Sequence, residues 1–84
     1  MSENGKRVEV RAQMSGVFYR KSGPEVPAYC EVGDQVKKKQ VLALLETMKV
    51  FQKVKSPVEG TILEIVAENE KPLKDDDLMF VIEA

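Results

Sequence analysis

Residue types alone close several kinds of chemistry to this chain. Its 84 residues include no histidine, no tryptophan and one cysteine, Cys30. A Ser-His-Asp or Cys-His arrangement cannot be assembled within it, nor can a zinc site that draws on histidine or several cysteines. Neither a catalytic residue nor a metal ligand set is expected. Cys30 has no partner for an internal disulfide, which fits a reducing compartment. It reads as a small packing residue on a strand rather than a reactive thiol. What remains is a small module that works with something else. There are ten lysines, and a solvated surface charge is the default reading of each. Lys49 differs in position: residues 47–50 (TMKV) sit between two halves of the chain that repeat one another.

The elements that would hold Lys49 follow from hydrophobic period and turn residues. Val8, Val10, Ala12 and Met14 alternate with Glu9, Arg11 and Gln13, the pattern of a half-buried strand. Ser15-Gly16 interrupts it, and Val17-Phe18-Tyr19 resumes an aromatic, β-branched run. Residues 21–27 (KSGPEVP) form a loop on their glycine and two prolines. A short strand is expected at 28–32, closed by Gly33-Asp34, and later strands at 41–46, 50–55, 61–67 and 78–83. The stretch 68–77, with Pro72, reads as polar connection. Residues 1–7 are expected to be a flexible tail ahead of a single domain at 8–84.

One segment also fits a helix. Residues 35–56 contain no glycine or proline, and Val41, Leu44, Leu45, Met48 and Phe51 fall near helical spacing. The repeat decides for strand. Ala12–Arg20 aligns with Ser56–Glu64, placing Gly16 on Gly60, and Val36–Glu46 aligns with Leu73–Glu83, placing Glu46 on Glu83. The second copy ends in LMFVI, a buried-strand run, so 41–46 is a strand by equivalence. The offset is 44 residues in the first alignment and 37 in the second. The first half therefore carries an insertion between Arg20 and Val36, with KSGPEVP as its protruding part. A duplicated β-unit joined at 47–50 puts Met48-Lys49 on a hairpin tip.

Glu46-Thr47-Met48-Lys49-Val50 resembles the attachment motif of biotinyl domains, E-A-M-K-M, in which the lysine stands about 35 residues from the C-terminus. Here 35 residues follow Lys49. The resemblance extends through Met14–Arg20 (MSGVFYR), Glu31–Val36 (EVGDQV), Ser56–Gly60 (SPVEG) and Val81-Ile82-Glu83. Among biotinyl domains the chain is most similar to the biotin carboxyl carrier proteins of acetyl-CoA carboxylase. It implies an all-β, flattened barrel or sandwich of two four-stranded antiparallel sheets with quasi-twofold symmetry. It also implies biotin joined covalently to Lys49 by a biotin–protein ligase that recognises Glu46, Thr47, Met48 and Val50. Biotin carboxylase and carboxyltransferase are the implied partners of a non-catalytic carrier in fatty acid synthesis. The insertion corresponds to the family's "thumb", here Lys21, Ser22, Gly23, Pro24, Glu25, Val26, Pro27 and Ala28, expected near the biotin. Thr47 and Val50 depart from the usual Ala and Met. Glu70 stands where a glycine is common, and beside it Asn69 is expected to tolerate the left-handed conformation in a changed turn.

A lipoyl carrier domain of a 2-oxo acid dehydrogenase-type complex is the nearest alternative, since it presents its lysine on the same hairpin. Met48, the FYR segment and the insertion favour biotin. An unmodified β interaction module is a third reading. Thirteen basic and fourteen acidic residues give a net charge of -1, which argues against nucleic acid or an anionic membrane as partner. Lys37–Lys39 and Asp75–Asp77 fall at nearly equivalent places in the repeat and read as solvated surface. No stretch approaches a membrane span, and residues 1–7 lack the apolar region of a secretory signal, so a cytoplasmic location is expected.

Overall fold

Alternating and continuous apolar runs become eight strands in the computed structural model, which describes residues 5–48 and 50–84. They are β1 (Arg7–Arg11), β2 (Gly16–Tyr19), β3 (Gln35–Val36), β4 (Val41–Thr47), β5 (Val50–Lys55), β6 (Gly60–Ile65), β7 (Lys71–Leu73) and β8 (Leu78–Glu83). One sheet runs β1-β8-β6-β3 and the other β5-β4-β2-β7, with every pairing antiparallel. Adding or subtracting four from each strand number turns one order into the other, so the expected quasi-twofold holds for the whole topology. The helix alternative over 35–56 is replaced by β4 and β5. Among the described residues no helix is long and apolar enough to cross a membrane. Arg7, expected to lie in a flexible tail, instead pairs with Glu83 in β1; of the rest of the expected tail, residues 1–4 lie outside the described residues.

Two of the four interior strands, β4 and β8, carry the longest apolar runs, since a strand flanked on both sides exposes the least backbone and side chain to water. Phe18 and Phe80 meet between the sheets, ring centroids 5.8 Å apart and tilted by 55°. Leu42, Ile62, Met79, Ile82 and Val36 are buried around them, which secures the register, because a one-residue slip would turn this set outward.

The symmetry extends to single atoms. Lys39 N–H donates to the Ser56 carbonyl and Asp76 N–H to the Ala12 carbonyl, both at 2.7 Å, and Lys39 and Asp76 share a left-handed backbone (φ 75° and 76°). Gly16 and Gly60 each open a strand against a neighbouring backbone. A Cβ on Gly16 would lie 2.6 Å from the Glu46 carbonyl oxygen, and one on Gly60 would collide with the carbonyl of Glu83. The paired registers put the turn 74–77, after Leu73, at the end where Glu46 and Gly16 lie. The turn 37–40 leads into Val41 at the opposite end, beside Lys55 and Gly60.

Four expectations need correction. Residues 28–32 are not a strand, because their backbone groups close a loop instead of joining a ladder. Tyr29 N–H donates to the Arg20 carbonyl at 2.9 Å, and Glu31 N–H to Asp34 Oδ2 at 2.9 Å. The short strand in this region is β3. Conversely, β7 lies within the supposed polar connection; Pro72 is tolerated there because β7 is an edge strand, where one side needs no partner. The first strand stops at Arg11 instead of Met14, as Ala12 turns its N–H to the Asp77 carbonyl at 2.8 Å. The strand begun at 61–67 stops at Ile65, since Val66 and Ala67 both donate to the Met79 carbonyl.

The turn at 69–70 is retained, but Glu70 rather than Asn69 takes the left-handed conformation (φ 67°). Its N–H donates to the Phe18 carbonyl at 2.6 Å, just as Gly33 (φ 95°) donates to the Ile62 carbonyl at 2.8 Å. A residue with a Cβ is strained there. Cys30 is 3% exposed with its Sγ 3.8 Å from the Leu42 carbonyl, and burial pushes its thiol up to about 11.

Three outcomes follow for stability. Glu70→Gly should stabilise the fold by about 1 kcal/mol in urea unfolding, relief of the left-handed strain exceeding the added freedom of the unfolded chain. Gly60→Ala should destabilise it by about 1–3 kcal/mol, as the new methyl forces two strands apart. For Cys30 the folded pKa is raised, so its contribution is present below about pH 9 and lost as pH climbs from about 9 to about 11. Urea midpoints across that range should therefore fall more steeply for the native sequence than for Cys30→Ala.

Candidate functional site

The β4–β5 hairpin is built by its register. Glu46 pairs with Phe51 and Thr47 with Val50, which leaves a two-residue connection, Met48-Lys49. Tight two-residue turns of this kind use positive φ, and Met48 has φ 25°. Its side chain is 96% exposed, an unusual state for a large apolar residue and one that packing cannot explain. Val50 and Phe51 are also exposed, while Glu46 and Thr47 are half-buried. The structure thus brings Glu46, Thr47, Met48 and Val50 together around one tip; Lys49 itself lies outside the described residues.

Strand alternation assigns each side chain below the tip to a face. Phe18, Leu45 and Ala43 point into the core, and their neighbours Tyr19, Leu44 and Glu46 point to the outer face of the sheet. Phe51 and Lys53 share that face through their pairing with Glu46 and Leu44. The Tyr19 hydroxyl donates to Glu46 Oε1 at 3.0 Å, and its ring meets Phe51 edge-on at 5.9 Å and 61°. This bond raises the Tyr19 pKa, with desolvation and the charges of Glu46 and Glu70 adding to it. The phenol therefore keeps its proton and remains a donor.

The insertion folds over this outer face as the loop between β2 and β3. Between loop and sheet lies an open groove of about 650 Å³, lined by Tyr19, Tyr29, Phe51 and Leu44 together with Lys21, Ser22, Gly23 and Pro24. Of the eight expected thumb residues, Glu25, Val26, Pro27 and Ala28 do not line it; the chain turns away through the Val26 N–H to Gly23 carbonyl bond, 3.3 Å. Arg20 fixes the loop's base. Its Nη2 donates to the Cys30 carbonyl at 3.0 Å and to Glu31 Oε1 at 2.7 Å, while its N–H donates to Asn69 Oδ1 at 2.8 Å.

Sequence reasoning did not single out Tyr29, Phe51, Leu44 or the Tyr19–Glu46 bond as parts of one site. A usable signal was present: the strand equivalence of 41–46 and 50–55 with a two-residue turn fixes Phe51 opposite Glu46. What it lacked was the neighbour on the other side, β2.

Comparisons with known proteins agree with this geometry. Residues 8–82 match the biotin/lipoyl family, described as "Biotin-requiring enzyme". The chain is 40% identical over 73 residues to the chloroplastic biotin carboxyl carrier protein of acetyl-CoA carboxylase 2 of Arabidopsis thaliana, covering 87% of this chain and 29% of that protein. It is 40% identical over 73 residues to the biotin carboxyl carrier protein of acetyl-CoA carboxylase of Pseudomonas aeruginosa, covering 87% and 47%. The chain thus spans less than half the length of these relatives. Among solved structures, the urea carboxylase of Kluyveromyces lactis contains a region of the same fold, with a TM-score of 0.76, 21% identity, and coverage of 98% of this chain and 7% of that one. With a family match over residues 8–82 and 40% identity to carrier proteins over 87% of its length, this chain belongs to the biotin/lipoyl family of biotin-requiring enzymes.

Proposed function

We propose that this chain is a biotin carboxyl carrier domain whose Lys49 is the attachment residue, serving an acetyl-CoA carboxylase. The observation that carries the reading is the motif Glu46–Val50 set at the β4–β5 tip, with Met48 almost wholly in solvent. The similarity to carrier proteins of acetyl-CoA carboxylase supports biotin over lipoate and that acceptor over others. The proposed partners are a biotin–protein ligase, then biotin carboxylase and carboxyltransferase, and the proposed compartment is the cytoplasm.

The residues present fit such a group. An aliphatic chain and a compact bicyclic head suit the apolar floor of Tyr19, Tyr29, Leu44 and Phe51, with polar loop atoms at its rim. When bound, biotin supplies the nitrogen that carries a carboxyl group between two enzymes. The chain's own work is presentation. Amide formation removes the lysine's charge permanently, and the motif's flanking residues are held by the β4–β5 pairing. Tethering turns each visit to a partner site into a local encounter at an effective concentration on the order of millimolar. The loop 21–28 is proposed to act as the thumb, its first four residues narrowing the space open to the biotin.

Coexpression with biotin ligase and free biotin, read by intact mass, tests the assignment. One biotinyl increment is expected, absent in Lys49→Arg. A folded domain that gains none beside an active ligase, or a Lys49→Arg chain that still gains one, would sink it. A lipoyl increment from lipoyl ligase in its place would move the chain to the lipoyl branch of the family.

A further inference from the structure

Glu46 is the one acidic residue in the motif, and its carboxylate is not left to solvent. A surface glutamate ordinarily samples many rotamers, and ordering it for a partner costs conformational entropy at the moment of binding. Here three features hold it beforehand. Its strand, β4, is central, flanked by β5 and β2. Phe51 stands directly opposite and leans its ring against Tyr19. Tyr19, which pairs with Leu44 two residues along β4, reaches diagonally across the face and donates its hydroxyl to Oε1 at 3.0 Å. That diagonal is within ordinary reach of a long aromatic side chain. A single acceptor oxygen is taken, so the carboxylate keeps acceptor capacity for an outside donor.

From this geometry we infer that Tyr19 is a positioning residue for the modification of Lys49: its hydroxyl presets the Glu46 carboxylate as a fixed acceptor, beside the tip, for a cationic or N–H donor of the modifying ligase. The inference rests on the reading of Lys49 as the attachment residue. In the ligase reaction Tyr19 is not itself a reacting group; it acts through Glu46. The effect is therefore on the encounter, with the ligase's turnover on the bound chain unchanged.

The test is steady-state biotinylation of the apo domain by a biotin ligase, with four chains: native, Tyr19→Phe, Glu46→Gln and the double variant. Phenylalanine keeps the ring that packs on Phe51, and thermal unfolding of each chain reports whether the fold is intact. Tyr19→Phe is expected to raise the KM for the domain about tenfold, the scale of one hydrogen bond to a charged group, with kcat within twofold of native. In the Glu46→Gln background the same change should add less than twofold. A folded Tyr19→Phe chain with native KM overturns the inference while leaving Lys49 as the attachment residue. So does a tenfold effect that persists undiminished in Glu46→Gln, since Tyr19 would then act by another route. A native chain that is not biotinylated at all overturns the reading of Lys49 and, with it, this inference.

Discussion

The rest of the structure depends on the way two similar halves share one core. Each half sends alternate strands to opposite sheets, so β1 and β3 lie in one sheet and β2 and β4 in the other. Only β2–β4 and β6–β8 pair within a half; β1–β8, β3–β6, β2–β7 and β4–β5 all pair across halves. Neither half has a sheet of its own, and an isolated pair of strands is marginal in water. The apolar cluster around Phe18 and Phe80 forms only when both are present. Burial of this cluster is thus a cooperative term that fixes every strand together.

This interleaving also singles out the hairpin. Among the described strands, β4 and β5 are the one consecutive pair that lie side by side; every other connection passes to a different neighbour. Among the described strands the chain therefore reverses tightly within a sheet at one place, between Thr47 and Val50. Exposure and rigidity are usually in tension, since surface loops are mobile. Here exposed Met48 follows directly on β4, an interior strand with its apolar side chains in the core.

The features legible in sequence were those written in a single strand or in the repeat. The runs at 41–46, 50–55 and 78–83 needed only their own apolar content and each other. The strand at 71–73 was hidden by Pro72, whose acceptability depends on its being at an edge, a property of the neighbours. Residues 28–32 read as a short strand closed by Gly33-Asp34, yet Arg20 and Asp34 take their backbone groups. Tyr19 and Glu46 are 27 residues apart, and nothing local to either signals the other. Their meeting is a consequence of register between β2 and β4, so the motif expected at 46–50 came without the tyrosine that bonds its acid.

The two turns related by the symmetry, 37–40 and 74–77, carry charges of opposite sign, Lys37-Lys38-Lys39 and Asp75-Asp76-Asp77. They sit at opposite ends of the barrel, the acidic one at the end of the hairpin tip. A net charge of -1 therefore conceals two local charges of opposite sign, separated along the strands. A uniform charge only draws a molecule nearer to a surface, whereas a dipole also experiences a torque. In the field of a charged body these two turns are pulled in opposite directions, over roughly one Debye length, about 8 Å at physiological salt. Duplication gave both ends the same backbone, and the divergence of two triplets made the ends physically distinct.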